Sequence, residues 1–460
     1  MKKKNYTVPF VIVTGLFFMW GFITSMNDIL IPYLKEVFEL THFKAMLVQF
    51  AFFGAYFIGS LFYFFISARM GDPINRMGYK NGIIYGLLLS ALGTSLFYPA
   101  AQLVSYGFFL SALFVLGLGF TLLQIAANPY VAILGNQESA SSRLNLSQGF
   151  NSFGTTIGPL IGGYLIFKYF VGADFVGADS VKIPYLIFAG IFLLMAVLIK
   201  LSHLPRFFNK EDIEKGTGAL RFRHLLLGMV AIFMYVGAEV SIGSIMVSFL
   251  GLENIAGFSK EEASTYLAFY WGGLMIGRFL GALSLSEMKG SGLKLLYMAL
   301  SAVILFFVIY LAAFLKSGID IMDIWPFGII ILVNFIAFHL GKSMPGKTLL
   351  VFSLMAVLLL LIAVSTNGYV AMWTLIGVGI FNSIMWPNIF TLSISGLGKY
   401  TSQGSSLLVM MILGGAIIPV IQGAIADAYG VHLSFIVPVI PYLYIAFFGW
   451  KGHKQKKTGL

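Results

Sequence analysis

The chain has 460 residues, of which 59% are hydrophobic and only 10% are charged, and its mean hydropathy is +0.91. Soluble domains carry about 25% charged residues, so this composition excludes a soluble globular protein and indicates an all-α polytopic membrane protein. The net charge of +11 does not indicate nucleic-acid binding, because the Lys and Arg residues lie in short loops between apolar segments and form no basic patch with interleaved aromatic residues.

The first apolar segment follows Lys2, Lys3 and Lys4. It is longer than the roughly 7 to 15 residues of a signal-peptide core and no small-residue cleavage site follows it, so we expect a retained first helix. Asp28 lies inside this helix, next to Asn27. A carboxylate at the centre of a membrane helix costs about 2.5 to 3.5 kcal/mol and usually marks an ion path, although a structural hydrogen bond to a neighbouring helix is the alternative. We predict that Asp28 lies on an ion path and that the adjacent Asn27 contacts a polar ligand.

Basic loops predict the orientation of the chain. The loop after the second helix carries Arg69, Arg76 and Lys80, and the positive-inside rule assigns it to the cytoplasm together with the Lys-rich start. The same rule assigns the basic loop 203–224 to the cytoplasm after six helices. We therefore predict an N-terminal six-helix bundle over 1–202 and a cytoplasmic linker over 203–224. The first helix is expected to end at Lys35 and Glu36, and the other five are expected near 45–66, 81–98, 107–134, 144–167 and 183–201.

Uncharged amides are concentrated in the fourth and fifth predicted helices. Gln124 and Asn128 are four residues apart and Gln148 and Asn151 are three apart, so each pair lies on one side of its helix. An unpaired amide in hydrocarbon loses several kcal/mol of water contact, so these amides, with Asn145, should face protein or a water-filled cavity. Amides both donate and accept, which suits a ligand with many hydroxyls; hydrogen bonds between helices are the alternative. We predict that the two pairs bind the substrate.

The second half of the sequence repeats the first. AFFGAYFIG at 51–59 recurs as AFYWGGLMIG at 268–277, and the segment around Pro129 recurs around Pro387. The separation between matching residues grows from 218 to 258, and about forty additional residues are enough for two membrane helices. We therefore predict about fourteen helices: a C-terminal bundle over 225–452 that contains an inserted pair near 293–340, followed by a cytoplasmic tail over 453–460.

Polar residues also lie within the predicted helices of the second half. Glu239 and Arg278 lie in the seventh and eighth helices, and Asn382 and Asn388 flank Trp386 and Pro387. Repeated halves with a binding site at their interface are typical of transporters, and non-helical turns near proline are tolerated only where they line protein or water. We predict that the two asparagines bind the substrate and that Glu239 assists Asp28 in ion coupling. The residues predicted to be gating or structural are Arg76, Arg143, Arg278, Pro129 and Pro387. The aromatic residues that could stack on a sugar or instead form core are Trp20, Tyr270, Trp271 and Trp386.

Several longer strings identify a family. They are NDILIP at 27–32, AANPYVAILG at 126–135, RLNLSQGFNSFG at 143–154, YVGAEVSIGS at 235–244 and GKYTSQGSSLLVM at 398–410. With these strings, which cover both halves, the chain resembles the major facilitator superfamily, in particular the fucose/proton symporter family and its glucose/galactose transporter branch.

The resemblance implies two pseudo-symmetric helical bundles that alternate access to a central sugar site, driven by an ion gradient. Asp28 matches the first-helix acid of the fucose permeases, and Asn151 matches a sugar-contacting amide of the fifth helix. Gln124 stands where those permeases carry a glutamate proposed as a proton site, and an amide cannot titrate. This departure favours the glucose/galactose branch, which Glu239 and the extra helix pair also resemble. The family's cytoplasmic loop motif is only partly kept, with Asn75 where an acid is usual.

The sequence therefore predicts a sugar importer of the bacterial inner membrane, coupled to H⁺ or Na⁺, with a hexose of the glucose/galactose type as substrate. We expect a monomer with both termini in the cytoplasm and no partner beyond the sugar, the ion and the lipid bilayer. An L-fucose or N-acetylhexosamine symporter and a passive sugar facilitator remain alternatives. A sugar sensor would need a soluble output domain beyond 203–224, and a multidrug exporter would be expected to have a more apolar cavity.

An enzyme is not predicted. The predicted spans contain no Ser/His/Asp set, no metal triad and no clustered acid pair. The chain has no cysteine, and its six histidines are scattered without metal-ligand spacing. We therefore predict no metal site and no cofactor.

Overall fold

The computed structural model describes residues 6–40, 42–164, 181–205, 216–288 and 290–455. The side chains of Asn27 and Asp28, predicted for sugar binding and ion coupling, lie outside the described residues. Parts of the predicted linker (206–215) and of the predicted tail (456–460) also lie outside them.

Within these ranges the chain is helical and contains no strand, as predicted. The α-helices are α1 (Thr7–Val37), α2 (His42–Met70), α3 (Pro73–Met77), α4 (Tyr79–Ser95), α5 (Phe97–Gln102), α6 (Tyr106–Ile133), α7 (Ala140–Tyr164), α8 (Lys182–Leu201), α9 (Arg223–Leu250), α10 (Lys260–Ser284), α11 (Ser291–Ser317), α12 (Trp325–Gly341), α13 (Pro345–Ser365), α14 (Gly368–Asn382), α15 (Met385–Ile394), α16 (Thr401–Met410), α17 (Gly414–Tyr429), α18 (Val431–Ser434) and α19 (Val439–Phe447). Short 3₁₀ segments occur at Gln137–Ser139, Gly218–Arg221, Ile321–Asp323, Gly398–Tyr400 and Met411–Leu413, and Phe448–Gly452 is a π-helix.

Twelve segments of the described chain are long and apolar enough to cross a membrane, which confirms a polytopic membrane protein. The predicted count of about fourteen is not supported. Of the predicted helices, α12 has 17 residues, whereas about 20 are needed to cross the hydrocarbon core. Helix α7 does not qualify over its described residues, because Arg143, Asn145 and Gln148 lower its hydropathy.

The chain divides into two compact units by its internal contacts. Unit 1 comprises Met1–Gly135, Phe150–Arg221 and Ile394–Met410. Its centre is α6, which packs against α2 and α4, while α8 packs on α4. Helix α16 joins this unit by packing against α2 and α6. The backbones of α4 and α6 come close at Gly119, where an added Cβ would collide with the Ser90 side chain and main chain. Small residues at such contacts are typical of membrane helix packing.

Unit 2 comprises Asn136–Gly149, Phe222–Ser393 and Met411–Leu460. Helix α9 packs against α10, α17 and α19, and α14 packs against α10 and α13. The segment predicted to hold an inserted pair contains α11, which is long enough to span a membrane, and α12, which is not. Helix α11 packs on α10, and α12 packs on α13 and α14.

These contacts divide the chain differently from the predicted boundary at the linker. The first ten residues of α7 belong to unit 2, although they precede the linker in sequence, and α16 belongs to unit 1. The predicted bundles 1–202 and 225–452 describe sequence halves and stay a prediction.

Candidate functional site

A buried polar network surrounds Glu239 in unit 2. The Tyr235 hydroxyl, one turn earlier on α9, donates to Glu239 Oε1 at 2.7 Å. Arg278 Nη2 on α10 lies 4.0 Å from the same oxygen, with side-chain exposures of 10% for Arg278 and 13% for Glu239. The Tyr270 hydroxyl, also on α10, donates to the main-chain O of Glu239 at 3.1 Å. Glu239 is therefore held at both its carboxylate and its backbone.

The network continues through Asn382 at the end of α14. Asn382 Nδ2 donates to the Tyr270 hydroxyl at 2.9 Å, and the Tyr442 hydroxyl on α19 donates to Asn382 Oδ1 at 2.6 Å. Asn382, Tyr270 and Tyr442 are fully buried. Four helices, α9, α10, α14 and α19, thus meet through one hydrogen-bonded chain that ends at Glu239.

Arg278 also contacts main-chain oxygens on two other elements. Its Nε donates to Ser383 O at 3.3 Å, in the break between α14 and α15. Pro387 has no N–H, so the carbonyl of Ser383, four residues earlier, lacks its usual helical partner. Arg278 Nη1 donates to Gln148 O on α7 at 3.4 Å. One guanidinium therefore joins α7, α9 and the break before α15.

Asn388, predicted to bind the substrate, is used in helix packing. Its Oδ1 accepts from Asn145 Nδ2 at 3.1 Å, and its Nδ2 donates to Pro345 O at 3.3 Å. Nearby, the Ser141 and Thr391 hydroxyls are 2.6 Å apart. These bonds join α7, α13 and α15, which is the alternative considered for the amides. A sugar contact of Asn388 stays a prediction.

In unit 1, Gln124 and Asn128 are buried on α6 with unused polar atoms. Gln124 Oε1 and both amide atoms of Asn128 have no hydrogen-bond partner among the described residues. The Tyr56 hydroxyl on α2 is within hydrogen-bonding reach of the Gln124 amide and of the Trp20 indole on α1. An unsatisfied buried polar group costs about 1 to 3 kcal/mol. These amides are therefore the part of unit 1 best suited to receive a polar ligand.

The remaining predicted binding residues lie on α7. Asn151 Nδ2 donates to Phe17 O on α1 at 2.9 Å, and Gln148 is buried. The backbones of α1 and α7 approach closely, because an added Cβ at Gly154 would meet the Phe18 carbonyl oxygen. Asn151 thus bridges α7 to α1 within unit 1.

Two of the residues predicted to be gating or structural, Arg76 and Arg143, make hydrogen bonds to residues close to them in sequence. Arg76 donates to the main-chain O of Met70 in its own loop. Arg143 donates to Ser139 Oγ at 2.7 Å and to Asn136 O at 2.8 Å, which holds the turn before α7. Pro129 lies inside α6, one residue after Asn128.

The described end of the predicted linker, residues 216–221, is fixed within unit 1; we call it the linker strap. Gln403 Oε1 on α16 accepts from Ala219 N at 2.9 Å, and its Nε2 donates to Gly216 O at 3.1 Å. The same Nε2 donates to Ser67 Oγ on α2 at 3.2 Å. Gln403 and Ala219 are buried. A single amide therefore binds the strap to both α2 and α16.

Comparison with known proteins identifies the family. A model of the Major Facilitator Superfamily matches residues 13–340. The chain belongs to this superfamily. It is 42% identical over 457 residues to the glucose/galactose transporter of Brucella abortus, covering 98% of this chain and 96% of that protein. It is 38% identical over 474 residues to the putative glucose/galactose transporter of Helicobacter pylori, covering 100% of both. A crystal structure of the Escherichia coli fucose:proton symporter FucP is similar with a TM-score of 0.75 and 30% identity, covering 98% of this chain and 100% of that one.

Membership of the superfamily confirms the predicted family and the prediction of a transporter rather than an enzyme.

The loop between α2 and α4 of this chain departs from the usual family motif at Asn75. Asn75 Nδ2 donates to Lys399 O at 2.6 Å. An ionised carboxylate could not donate to that carbonyl, so Asn75 suits this contact. The acid of this loop is Asp72, whose Oδ1 accepts from Ile74 N at 2.9 Å and from the Tyr63 hydroxyl at 2.6 Å. Burial raises the pKa of the Asp72 carboxyl above its usual range.

The sequence analysis did not predict the hydrogen-bonding roles of three residues, Tyr235, Tyr442 and Gln403. The contact between Tyr235 and Glu239 could have been predicted, because the two residues are four apart on one helix. Tyr442 and Gln403 contact residues that are distant in sequence, and no local pattern indicates those contacts. Tyr270 was considered for stacking on a sugar or for the core, whereas in the structure it is buried and also forms hydrogen bonds.

Proposed function

We propose that this chain is an ion-coupled hexose importer of the bacterial inner membrane that works by alternating access, with glucose or galactose as substrate. The observation that carries the proposal is the 42% identity to a glucose/galactose transporter over 98% of the chain. An identity of this level over nearly the whole length covers both units rather than one shared motif.

The proposed sugar-binding residues are the amides predicted from the sequence. Gln124 and Asn128 support this assignment best, because they are buried and keep unused donor and acceptor atoms among the described residues. Hydroxyls of a hexose are suitable partners for both kinds of atom. The complete proposed set is Asn27, Gln124, Asn128, Gln148, Asn151, Asn382 and Asn388.

The proposed ion-coupling groups are Asp28 and Glu239. Gln124 cannot titrate, so a coupled proton must act elsewhere. Glu239 is a largely buried carboxylate, 13% exposed and within 4.0 Å of Arg278, so binding of a cation at Glu239 would change a local charge balance. Such a change can bias a two-state conformational equilibrium only if sugar and ion bind the two states with different affinity.

We further propose that the transporter is a monomer with both termini in the cytoplasm. The basic loop carrying Arg69 and Arg76 supports this orientation. Labelling of single introduced cysteines in intact cells and in inverted vesicles tests it, because the chain has no cysteine of its own.

The test of the function is uptake of labelled hexoses into sealed proteoliposomes under an imposed proton gradient and, separately, an imposed sodium gradient. Accumulation of glucose or galactose under one gradient supports the proposal and names the ion. Uptake that only equilibrates identifies a passive facilitator. An absence of hexose transport under both gradients contradicts the proposal.

L-fucose is the second candidate substrate. It is supported by the similarity in structure to FucP over nearly the whole of both chains. Fucose and N-acetylhexosamines therefore belong in the same uptake panel, and accumulation of fucose with exclusion of glucose and galactose would replace the main proposal.

A further inference from the structure

The contacts of Arg278 distinguish it from the other described arginines. Nη2 faces Glu239 Oε1 at 4.0 Å, Nη1 donates to Gln148 O, and Nε donates to Ser383 O. A guanidinium has five N–H donors in a rigid plane, so it can hold several acceptors at once in fixed directions. The three acceptors lie on α9, on α7 and in the break before α15. A shift of the guanidinium therefore changes the contacts of all three elements at once.

Few titratable or charged side chains among the described residues lie close enough to Glu239 to balance its negative charge. The titratable or charged side chains that face it, among the described residues of its own helix and of the helices packed on it, are Tyr235, Tyr270, Tyr442 and Arg278. Where α17 packs on α9, at Gly237, the neighbour is the apolar Ile418. The three tyrosines are neutral hydrogen-bonding groups, so Arg278 is the cation of this set. A change in the charge of Glu239 therefore acts chiefly on Arg278.

The other two contacts of Arg278 are with main-chain oxygens whose positions matter for the site. The Ser383 carbonyl lies next to Asn382 and is left without a helical partner by Pro387. The Gln148 carbonyl belongs to a proposed sugar-binding residue. When Glu239 is protonated or neutralised by Na⁺, its attraction for the guanidinium weakens, whereas the bonds from the guanidinium to these two carbonyls remain. The balance of forces on Arg278 then shifts toward the Gln148 and Ser383 carbonyls.

We propose that Arg278 is a positioning residue that transmits the charge state of Glu239 to the turn of α7 that carries Gln148. The inference rests on the proposed function, in which an ion is exchanged at Glu239 and a hexose is bound in part by Gln148. The inference adds a physical connection between ion exchange at Glu239 and hexose binding at Gln148. Neither the sequence pattern nor the similarity to other transporters specifies this connection.

The test measures the Kd of a labelled hexose for the purified full-length transporter at several pH values and Na⁺ concentrations. In the unsubstituted protein the coupled ion should change the Kd by about fivefold or more, as is typical of coupling between two sites. In Arg278→Gln the ion should change the Kd by less than about twofold although Glu239 is intact, because the link is absent. Glu239→Gln should abolish the ion dependence in the same way, and the double variant should show no further change.

A purely structural role of Arg278 predicts a different pattern. If the guanidinium only satisfies the Ser383 carbonyl, Arg278→Gln weakens sugar binding but keeps the ion dependence, and its effect adds to that of Glu239→Gln. That result overturns the proposal. Should Arg278→Gln fail to fold, Arg278→Lys takes its place, because one ammonium keeps the charge but cannot hold Glu239 and the Gln148 carbonyl in the same fork.

Lys294 provides the matched control. Its Nζ donates to Ser284 O at 3.1 Å and to Ser286 O at 3.0 Å, so it is a cation that also binds main-chain carbonyls in unit 2. Lys294→Gln should leave the ion dependence of the hexose Kd unchanged. If the unsubstituted protein accumulates no sugar under either gradient, the proposed function fails. If it accumulates sugar and Arg278→Gln retains full ion dependence, only the present inference fails.

Discussion

Asn128 and Asn388 are both fully buried amides next to a proline, yet their surroundings differ. Neither amide atom of Asn128 has a partner among the described residues, whereas Asn388 bonds to Asn145 and to Pro345 O. Residue type and burial are therefore not enough to separate a binding amide from a packing amide. The difference lies in the partners, and it has opposite consequences for stability.

We expect Asn128→Leu to raise the thermal unfolding temperature of the ligand-free protein and to weaken hexose binding. Leucine has a similar size and removes an unsatisfied buried amide that costs about 1 to 3 kcal/mol. The same change removes hydrogen bonds to the sugar, and a loss of about 1.4 kcal/mol weakens binding about tenfold. Thermal unfolding in detergent and equilibrium binding of labelled hexose measure the two effects. Such a trade-off between stability and activity is typical of functional sites.

Asn388→Leu is the matched control and should lower the unfolding temperature. It removes the acceptor that Asn388 Oδ1 provides for Asn145 Nδ2 and the bond that Asn388 Nδ2 donates to Pro345 O. Breaking one side of a buried hydrogen bond exposes the other side to its full desolvation cost. If Asn128→Leu lowers the unfolding temperature as much as Asn388→Leu does, Asn128 has a structural role and the proposed binding role is wrong.

Helix packing in unit 1 depends on how closely two backbones approach. A Cβ at Gly154 on α7 would collide with the Phe18 carbonyl oxygen and the Phe22 nitrogen on α1, whereas a Cβ at Gly15 on α1 would meet nothing within 4 Å. We expect Gly154→Ala to destabilise the protein by about 1 to 3 kcal/mol through overpacking. Gly15→Ala should be neutral or slightly stabilising, because alanine is a better helix former. Thermal unfolding of the two variants compares them, and equal effects would contradict the close approach of α1 and α7.

The N-terminal cap of α3 predicts a pH dependence. Burial raises the pKa of the Asp72 carboxyl, so the folded protein binds this proton more tightly than the unfolded chain does. The stabilisation from the protonated form is complete below the unfolded pKa of about 3.9 and is lost as the pH rises through the folded value. The unfolding temperature of the unsubstituted protein, compared with that of Asp72→Asn, should therefore decrease as the pH is raised. A difference between the two proteins that stays constant with pH would show that the carboxyl does not titrate differently on folding.

For the whole molecule, composition and repeats predicted the helical membrane fold, and the resemblance of several longer strings predicted the family. The helix count of about fourteen was not supported, because α12 is too short for a membrane span and the described residues of α7 are too polar for one. The sequence also selected Glu239, Arg278 and Asn382, but as separate residues with separate roles. Asn382 is joined to Glu239 through Tyr270, which is 112 residues from Asn382, and such a contact is set by tertiary packing rather than by a local pattern.

The division of the chain into units could not be predicted either. The sequence analysis predicted residues 203–224 as a cytoplasmic linker and gave no packing for them. In the structure, Gln403 binds the linker strap to α2 and α16 within unit 1. Gly218 in the strap lies against the Tyr400 ring, where an added Cβ would collide. The strap is thus a packed part of unit 1, and it helps to explain why α16 belongs to that unit.

This anchoring can be measured with one introduced thiol, because the chain contains no cysteine. Ala219→Cys places the thiol at a fully buried position of the strap, so it should react slowly with a hydrophilic maleimide. Gln403→Leu removes three hydrogen bonds, each with a net contribution of about 0.5 to 1.5 kcal/mol, and should accelerate the reaction at least about tenfold. Thr217→Cys, at an exposed position of the same strap, should react quickly with or without Gln403→Leu. An unchanged rate at position 219 after Gln403→Leu would show that packing against Tyr400, rather than the Gln403 amide, holds the strap in place.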